Sequence, residues 1–182
     1  LAILEREHPV TDPESRGLYR LTDDFLRFWF QYVPPNRGTL EQGRTAPVRE
    51  AIAETLPTHT SRTFETVCQQ AVQMSGFPVA CSRVGRWWNG DEEIDVVGIN
   101  RETNQLVLGE FKWTSSPVGR EVIDDLTALE SDVRWQGDDR EVSYAIFSRS
   151  GFTEDLRAIV ADRSDSYLYG LDELTDLFEH TQ

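Results

Sequence analysis

The stretch Glu93–Trp113, EIDVVGINRETNQLVLGEFKW, carries two apolar runs, IDVVGI and QLVLGEF, on either side of the polar turn NRETN, Asn100–Asn104. Each run is rich in β-branched and aliphatic residues and too short for a helix, so the pair reads as an antiparallel hairpin. Centred on that turn, paired residue numbers sum to about 205. Val97 then faces Leu108, Ile99 faces Leu106, and Asp95 falls opposite Glu110. Ile94, Val96, Val107 and Phe111 are left for the other face. Both faces are apolar, the pattern of a strand pair covered by helices on each side.

Alternation in a strand also puts Lys112 on the same face as Glu110. Lys112 is the only lysine among 18 basic residues; the other 17 are arginine. A chain that writes its positive charge as arginine and keeps one ammonium here implies a position where a compact charge is needed and a planar fork is not. Two facing carboxylates in an apolar setting are costly unless positive charge lies between them. A salt bridge from Lys112 accounts for one of the two acids. A divalent cation accounts for both, since Mg²⁺ takes one or two carboxylates and completes its shell with water and phosphate oxygens.

Outward from the hairpin, TDDFLRFWFQYV offers Thr22 or Asp23 as a helix cap, with Phe25, Leu26, Trp29, Phe30 and Val33 as the packed stripe. A polar connector runs through Gly38 and Gly43, and two helices are expected near Pro47–Leu56 and Ser61–Ser75. A strand, FPVACSRVGRWW, precedes the hairpin from Phe77. After it come a helix over Val118–Val133, a strand at VSYAIFS, a short helix near Glu154–Val160, a strand at SYLYGL and a last helix from about Asp172. This order predicts an α/β sandwich whose central mixed sheet is flanked by helices. Residues 1–21 read as two extended pieces around a polar turn, the remnant of a preceding module, and residues 22–182 as the main domain.

The chain is acidic, with 32 Asp and Glu and a net charge of −14. A dense carboxylate surface with almost no lysine fits work in concentrated salt. The charge is uneven: residues 1–90 are neutral overall, and 91–182 hold the whole excess. A polyanion is therefore expected to approach from the arginines of the first half, among them Arg37, Arg44, Arg49, Arg62, Arg83 and Arg86. No apolar run approaches the ~20 residues of a membrane span, and the first residue is Leu1. A soluble, cytoplasmic piece of a longer protein, without a membrane partner, is the expectation. Cys68 and Cys81 read as small buried hydrophobes, and His8, His59 and His180 form no ligand cluster in the sequence.

These residues resemble a known signature. Ile94-Asp95, Glu110-Phe111-Lys112 and a preceding helix bearing Glu65 in TFETVCQQAV look like the PD-(D/E)xK nuclease superfamily, with Ile94 where that pattern has proline. More narrowly, YRLTDDFLRFWFQYV, FETVC, VGRWW, EIDVV, LGEFKW and FSRSGF resemble the nuclease-like C-terminal domain of archaeal AAA-type ATPases, in a haloarchaeal version, from Leu18 onward.

The resemblance implies a restriction-endonuclease-like fold and metal-dependent hydrolysis of DNA. Asp95, Glu110 and the Phe111 carbonyl would hold Mg²⁺ or Mn²⁺, Lys112 would orient the attacking water, and Glu65 would complete the catalytic set. It also implies ATPase and winged-helix domains in the same chain, the latter ending in residues 1–21, and leaves self-association open. Arg83, Arg86, Trp88 and Arg149 are the expected DNA contacts, although tryptophans of the Trp87-Trp88 pair serve equally as core. The alternative is a non-catalytic module that keeps the fold and binds nucleic acid or protein for the ATPase.

Overall fold

The computed structural model describes residues 3–137 and 139–180. By its internal contacts the chain divides into two units, residues 1–7 with 16–63 and residues 8–15 with 64–182.

In the first unit, β1 (Leu4–Glu7) pairs antiparallel with β2 (Leu18–Leu21). Asp23 then caps α1 (Asp24–Tyr32), accepting from the Leu26 N–H at 2.8 Å. The polar connector is not irregular throughout: a 3₁₀ turn at Pro34–Asn36 leads into the short α2 (Arg37–Glu41). The two helices expected after it are one, α3 (Ala46–Gln73), with Pro57 inside. Proline deletes a single i→i−4 donor, and no glycine follows Leu56 to turn the chain, so the helix continues past it.

The packed side of α1 also differs from the expected stripe. Phe28 and Tyr32 make the contacts, Phe28 edge-on to His59 at 5.7 Å and the Tyr32 hydroxyl 2.7 Å from Thr55 Oγ1. Phe25, Trp29 and Phe30 are exposed. Apolar residues occupy nearly every side of this helix, so spacing alone does not mark the buried one.

The second unit is a five-stranded sheet in sequence order: β3 (Arg83–Asn89), β4 (Glu92–Asn100), β5 (Gln105–Lys112), β6 (Glu141–Ser148) and β7 (Ser166–Tyr169). The first three strands form an antiparallel meander; β6 and β7 join parallel to β5 through α4 (Glu121–Leu129) and α5 (Glu154–Ala161), and α6 (Leu171–Glu179) follows. The β4–β5 register is the expected one, from Asn100 opposite Gln105 to Val96 opposite Gly109. β3 begins only at Arg83; Phe77–Ser82 are not strand, and α4 is shorter than expected, ending in a 3₁₀ turn at Glu130–Asp132.

Each face of the sheet carries its own core. Val97, Ile99, Leu106 and Leu108 pack with Val122, Ile123 and Leu126 of α4 and Leu156 of α5. Val96, Val107, Ala145 and Phe147 pack with Phe64, Cys68 and Val72 of α3 and Leu174 of α6. The result is a mixed sheet between helical layers. Cys68 is buried and free, and Cys81 is free and half-buried.

Ile94 departs from the expected alternation. It joins Val97 on the α4 side, not Val96. The β3 pairing explains this: Gly85 faces Val97 and Trp87 faces Ile94, so Asp95 and Val96 together oppose the single residue Arg86. An extra residue in one strand is a β-bulge; it reverses the alternation and re-aims side chains, and such bulges concentrate beside active sites.

Gly98, two residues beyond the bulge, is where β4 meets α3. A Cβ there would lie 2.5 Å from Cys81 Sγ and 3.1 Å from Val72 Cγ1. Gly98→Ala is therefore expected to destabilise the fold by about 1–3 kcal/mol through overpacking, read from urea unfolding; unchanged stability would show that the α3–β4 contact is loose.

Candidate active site

The bulge in β4 and the end of β5 bring the expected acids to one edge of the sheet. Asp95 Oδ2 accepts from the Phe111 N–H at 3.4 Å, and Lys112 Nζ donates to Glu110 Oε1 at 2.6 Å. Glu65, on the second half of α3, is a buried carboxylate. Gln69, one turn later, ties it to the bulge: its Nε2 donates to Glu65 Oε1 at 3.3 Å and to the Asp95 carbonyl at 3.0 Å. Glu65, Asp95, Glu110 and Lys112 thus converge from one helix and two strands.

The charges are unequally compensated. Glu110 has Lys112. Glu65 has Arg86, whose Nε lies 3.2 Å from Glu65 Oε1 and whose guanidinium also meets Glu93. Asp95 accepts only a long backbone bond among the contacts described. Burial, and after it the negative charge of Glu110, push its carboxyl up to about 7. Burial opposes the charge on Lys112, yet its bond to Glu110 and the fields of Glu110, Asp95 and Asp125 outweigh that and hold its pKa above the usual lysine value. Burial, together with the charges of Asp95 and Glu65, raises the Cys68 thiol well above its ordinary range and so disfavours the thiolate.

Beside Glu110 and Lys112 opens a cavity of about 400 Å³, lined also by Glu92, Glu93 and Asp125, with Val122, Leu126, Ala128 and Leu129 of α4 beneath. Among the described residues no group of three or more His, Cys, Asp or Glu side chains is placed to hold a metal ion. Two carboxylates, of which only one is hydrogen-bonded to an ammonium, are a donor set chemically compatible with a hard divalent cation that keeps most of its own waters.

The expected DNA contacts are scattered. Arg83 is exposed at the far end of β3, opposite Ile99, and is not part of the cluster. Arg86 lies inside the cluster as the counter-charge of Glu65 and Glu93. Trp87 is core, whereas Trp88 is half-buried and paired with Glu93. Arg149 is exposed just past the end of β6 and donates its backbone N–H to the Lys112 carbonyl at 3.1 Å. Two residues that the sequence motifs do not mark lie here. Gln69 carries the signal of i,i+4 spacing from Glu65; Trp113, next to Lys112, has the Arg149 guanidinium carbon 4.9 Å from its ring centre, a contact between distant segments that no local pattern announces.

Arg86→Met tests the internal role of that arginine. It leaves the buried Glu65 carboxylate without its guanidinium and is expected to cost about 1–3 kcal/mol of stability, measured by chemical unfolding. A surface DNA-contact role predicts no change.

A family described as "Archaea bacterial proteins of unknown function" (DUF234) matches residues 29–123, a span that includes all four converging residues. An uncharacterized protein of Methanocaldococcus jannaschii is 29% identical over 116 residues, 60% of this chain. The alignment covers 26% of that relative, so the chain spans about a quarter of its length. No solved structure matches the chain. Among the described residues no helix is long and apolar enough to cross a membrane.

Proposed function

The chain belongs to the DUF234 family, and we propose that it is a metal-dependent phosphodiesterase acting on DNA, with a restriction-endonuclease-like arrangement of its sheet. One observation carries the reading: Asp95 and Glu110 come together at a strand bulge where Lys112 hydrogen-bonds Glu110 and reaches Asp95 only through its field, too little to offset the burial and the Glu110 charge that raise the Asp95 carboxyl. Asp95, Glu110 and the Phe111 carbonyl are the groups that would hold Mg²⁺ or Mn²⁺. When bound, such an ion supplies Lewis-acid stabilisation of the charge that develops on phosphate.

The chain's own residues do the rest. Lys112 orients the attacking water and places a compact positive charge beside the phosphoryl oxygens as a P–O bond forms to water and the bond to the leaving oxygen breaks, the water's proton passing to solvent and the leaving oxygen taking one up from it. Glu65, fixed by Gln69 and Arg86, holds the bulge and with it the position of Asp95. On this reading the module works beside the ATPase and winged-helix domains that the motif resemblance implies.

A second reading, a non-catalytic regulatory module, draws on the acidic cavity wall of Glu92, Glu93 and Asp125, which repels phosphate. Incubation with labelled single-stranded, duplex and branched DNA in high salt, with Mg²⁺ or Mn²⁺ and then with chelator, separates the two. Metal-dependent cleavage of one of these substrates is expected; binding without cleavage under every condition favours the regulatory module.

A further inference from the structure

We infer that Arg149, seated on the ring of Trp113, grips a DNA phosphate next to the cleaved bond, and that Trp113 is the residue that positions it; this rests on the phosphodiesterase reading. In this acidic chain the other basic groups near the site have carboxylate partners, Arg86 with Glu65 and Glu93, and Lys112 with Glu110. Among the described residues no carboxylate pairs with Arg149. Its guanidinium carbon lies 4.9 Å from the centre of the Trp113 ring. A guanidinium that lies flat on a ring keeps its in-plane N–H donors available for forked recognition of phosphate.

The mount is rigid. Phe64 supports Trp113, with ring centres 5.0 Å apart. The turn that carries Arg149 is tied to the strand bearing Lys112 by the Arg149 N–H on the Lys112 carbonyl at 3.1 Å and the Ser150 hydroxyl on the Thr114 carbonyl at 2.6 Å. Gly151 completes that turn at φ 76°, a conformation that favours glycine. A guanidinium held this way loses little freedom on binding. The cavity wall of Glu92, Glu93 and Asp125 repels a strand's phosphates, whereas Arg149 offers them a positive charge with no carboxylate partner among the described residues.

The test is equilibrium binding of labelled single-stranded and duplex oligonucleotides in chelator, unmodified or carrying one uncharged methylphosphonate at successive positions. Arg149→Gln should weaken binding roughly tenfold, the size of one charge-assisted contact, and lower the salt-dependence slope by about one. Trp113→Leu should reproduce most of that loss, and Trp113→Phe, which keeps a ring, much less. One methylphosphonate position should weaken the wild type but not Arg149→Gln. In the metal-loaded reaction Arg149→Gln should raise KM with kcat little changed. If Arg149→Gln binds and cleaves like the wild type, the clamp is overturned while the phosphodiesterase reading stands. If the wild type neither binds nor cleaves DNA, both fall.

Discussion

Lys112→Arg is expected to lose about 10²–10³-fold in cleavage rate, the typical effect of misplacing one charge-stabilising donor, while the protein folds normally. Lys112 is half-exposed and its ion pair with Glu110 lies at the edge of the sheet, so stability should change by only about 0.5 kcal/mol or less. The guanidinium can keep the contact to Glu110, because arginine pairs with carboxylates at least as well as lysine does. It cannot put one compact charge next to a water and a phosphoryl oxygen. Activity and stability therefore separate in this variant. Wild-type turnover in Lys112→Arg would mean that the lone lysine is only the counter-ion of Glu110.

Asp95→Asn should have opposite effects on activity and on the metal-free fold. Cleavage should fall on the order of 10³-fold, since one of the two carboxylates proposed to hold the metal ion is lost. Stability without metal should rise by about 1 kcal/mol, a typical size for a point change, because the variant removes a half-buried carboxylate that the charge of Glu110 acts against. The pH dependence follows from the sign of the shift. In the unfolded chain Asp95 ionises near its ordinary value of about 3.9, and in the fold it holds its proton up to about 7. Between those limits the folded state binds the extra proton, so Asp95 contributes stability that is full below about pH 4 and lost as pH rises through about 7. Urea unfolding from pH 4.5 to 8 should thus show the wild type falling relative to Asp95→Asn across this window. A constant difference, or a variant less stable throughout, would contradict a strained carboxylate at this position.

The hairpin was legible because two local signals agree there: a polar turn and apolar runs whose residues pair with a constant sum. From that register alone, Asp95, Glu110 and Lys112 share an edge. The mixed order of strands and helices followed from periodicity, as did the burial of Cys68. The bulge was not legible. It depends on Arg86 of β3 facing two residues of β4, a long-range pairing that no pattern within β4 announces, and it moves Ile94 to the other face. The same limit hid the internal place of Arg86, since an arginine at a strand edge reads alike whether it meets solvent or Glu65. On α1 the fault lay in the signal itself: with apolar residues on every side but that of Asp24, Arg27 and Gln31, the partners on α3 choose Phe28 and Tyr32.

Thermal melts at constant ionic strength and pH 8, where Asp95 is ionised, test without any substrate whether Asp95 and Glu110 form a site for a divalent cation. Mg²⁺ in place of chelator should raise the wild-type midpoint, following RT ln(1 + [L]/Kd), and should raise Asp95→Asn and Glu110→Gln much less. Chelator alone should leave Asp95→Asn melting above the wild type. If millimolar Mg²⁺ and Mn²⁺ shift none of the three proteins, and Asp95→Asn melts below the wild type, the two carboxylates are structural and the regulatory module is the correct reading.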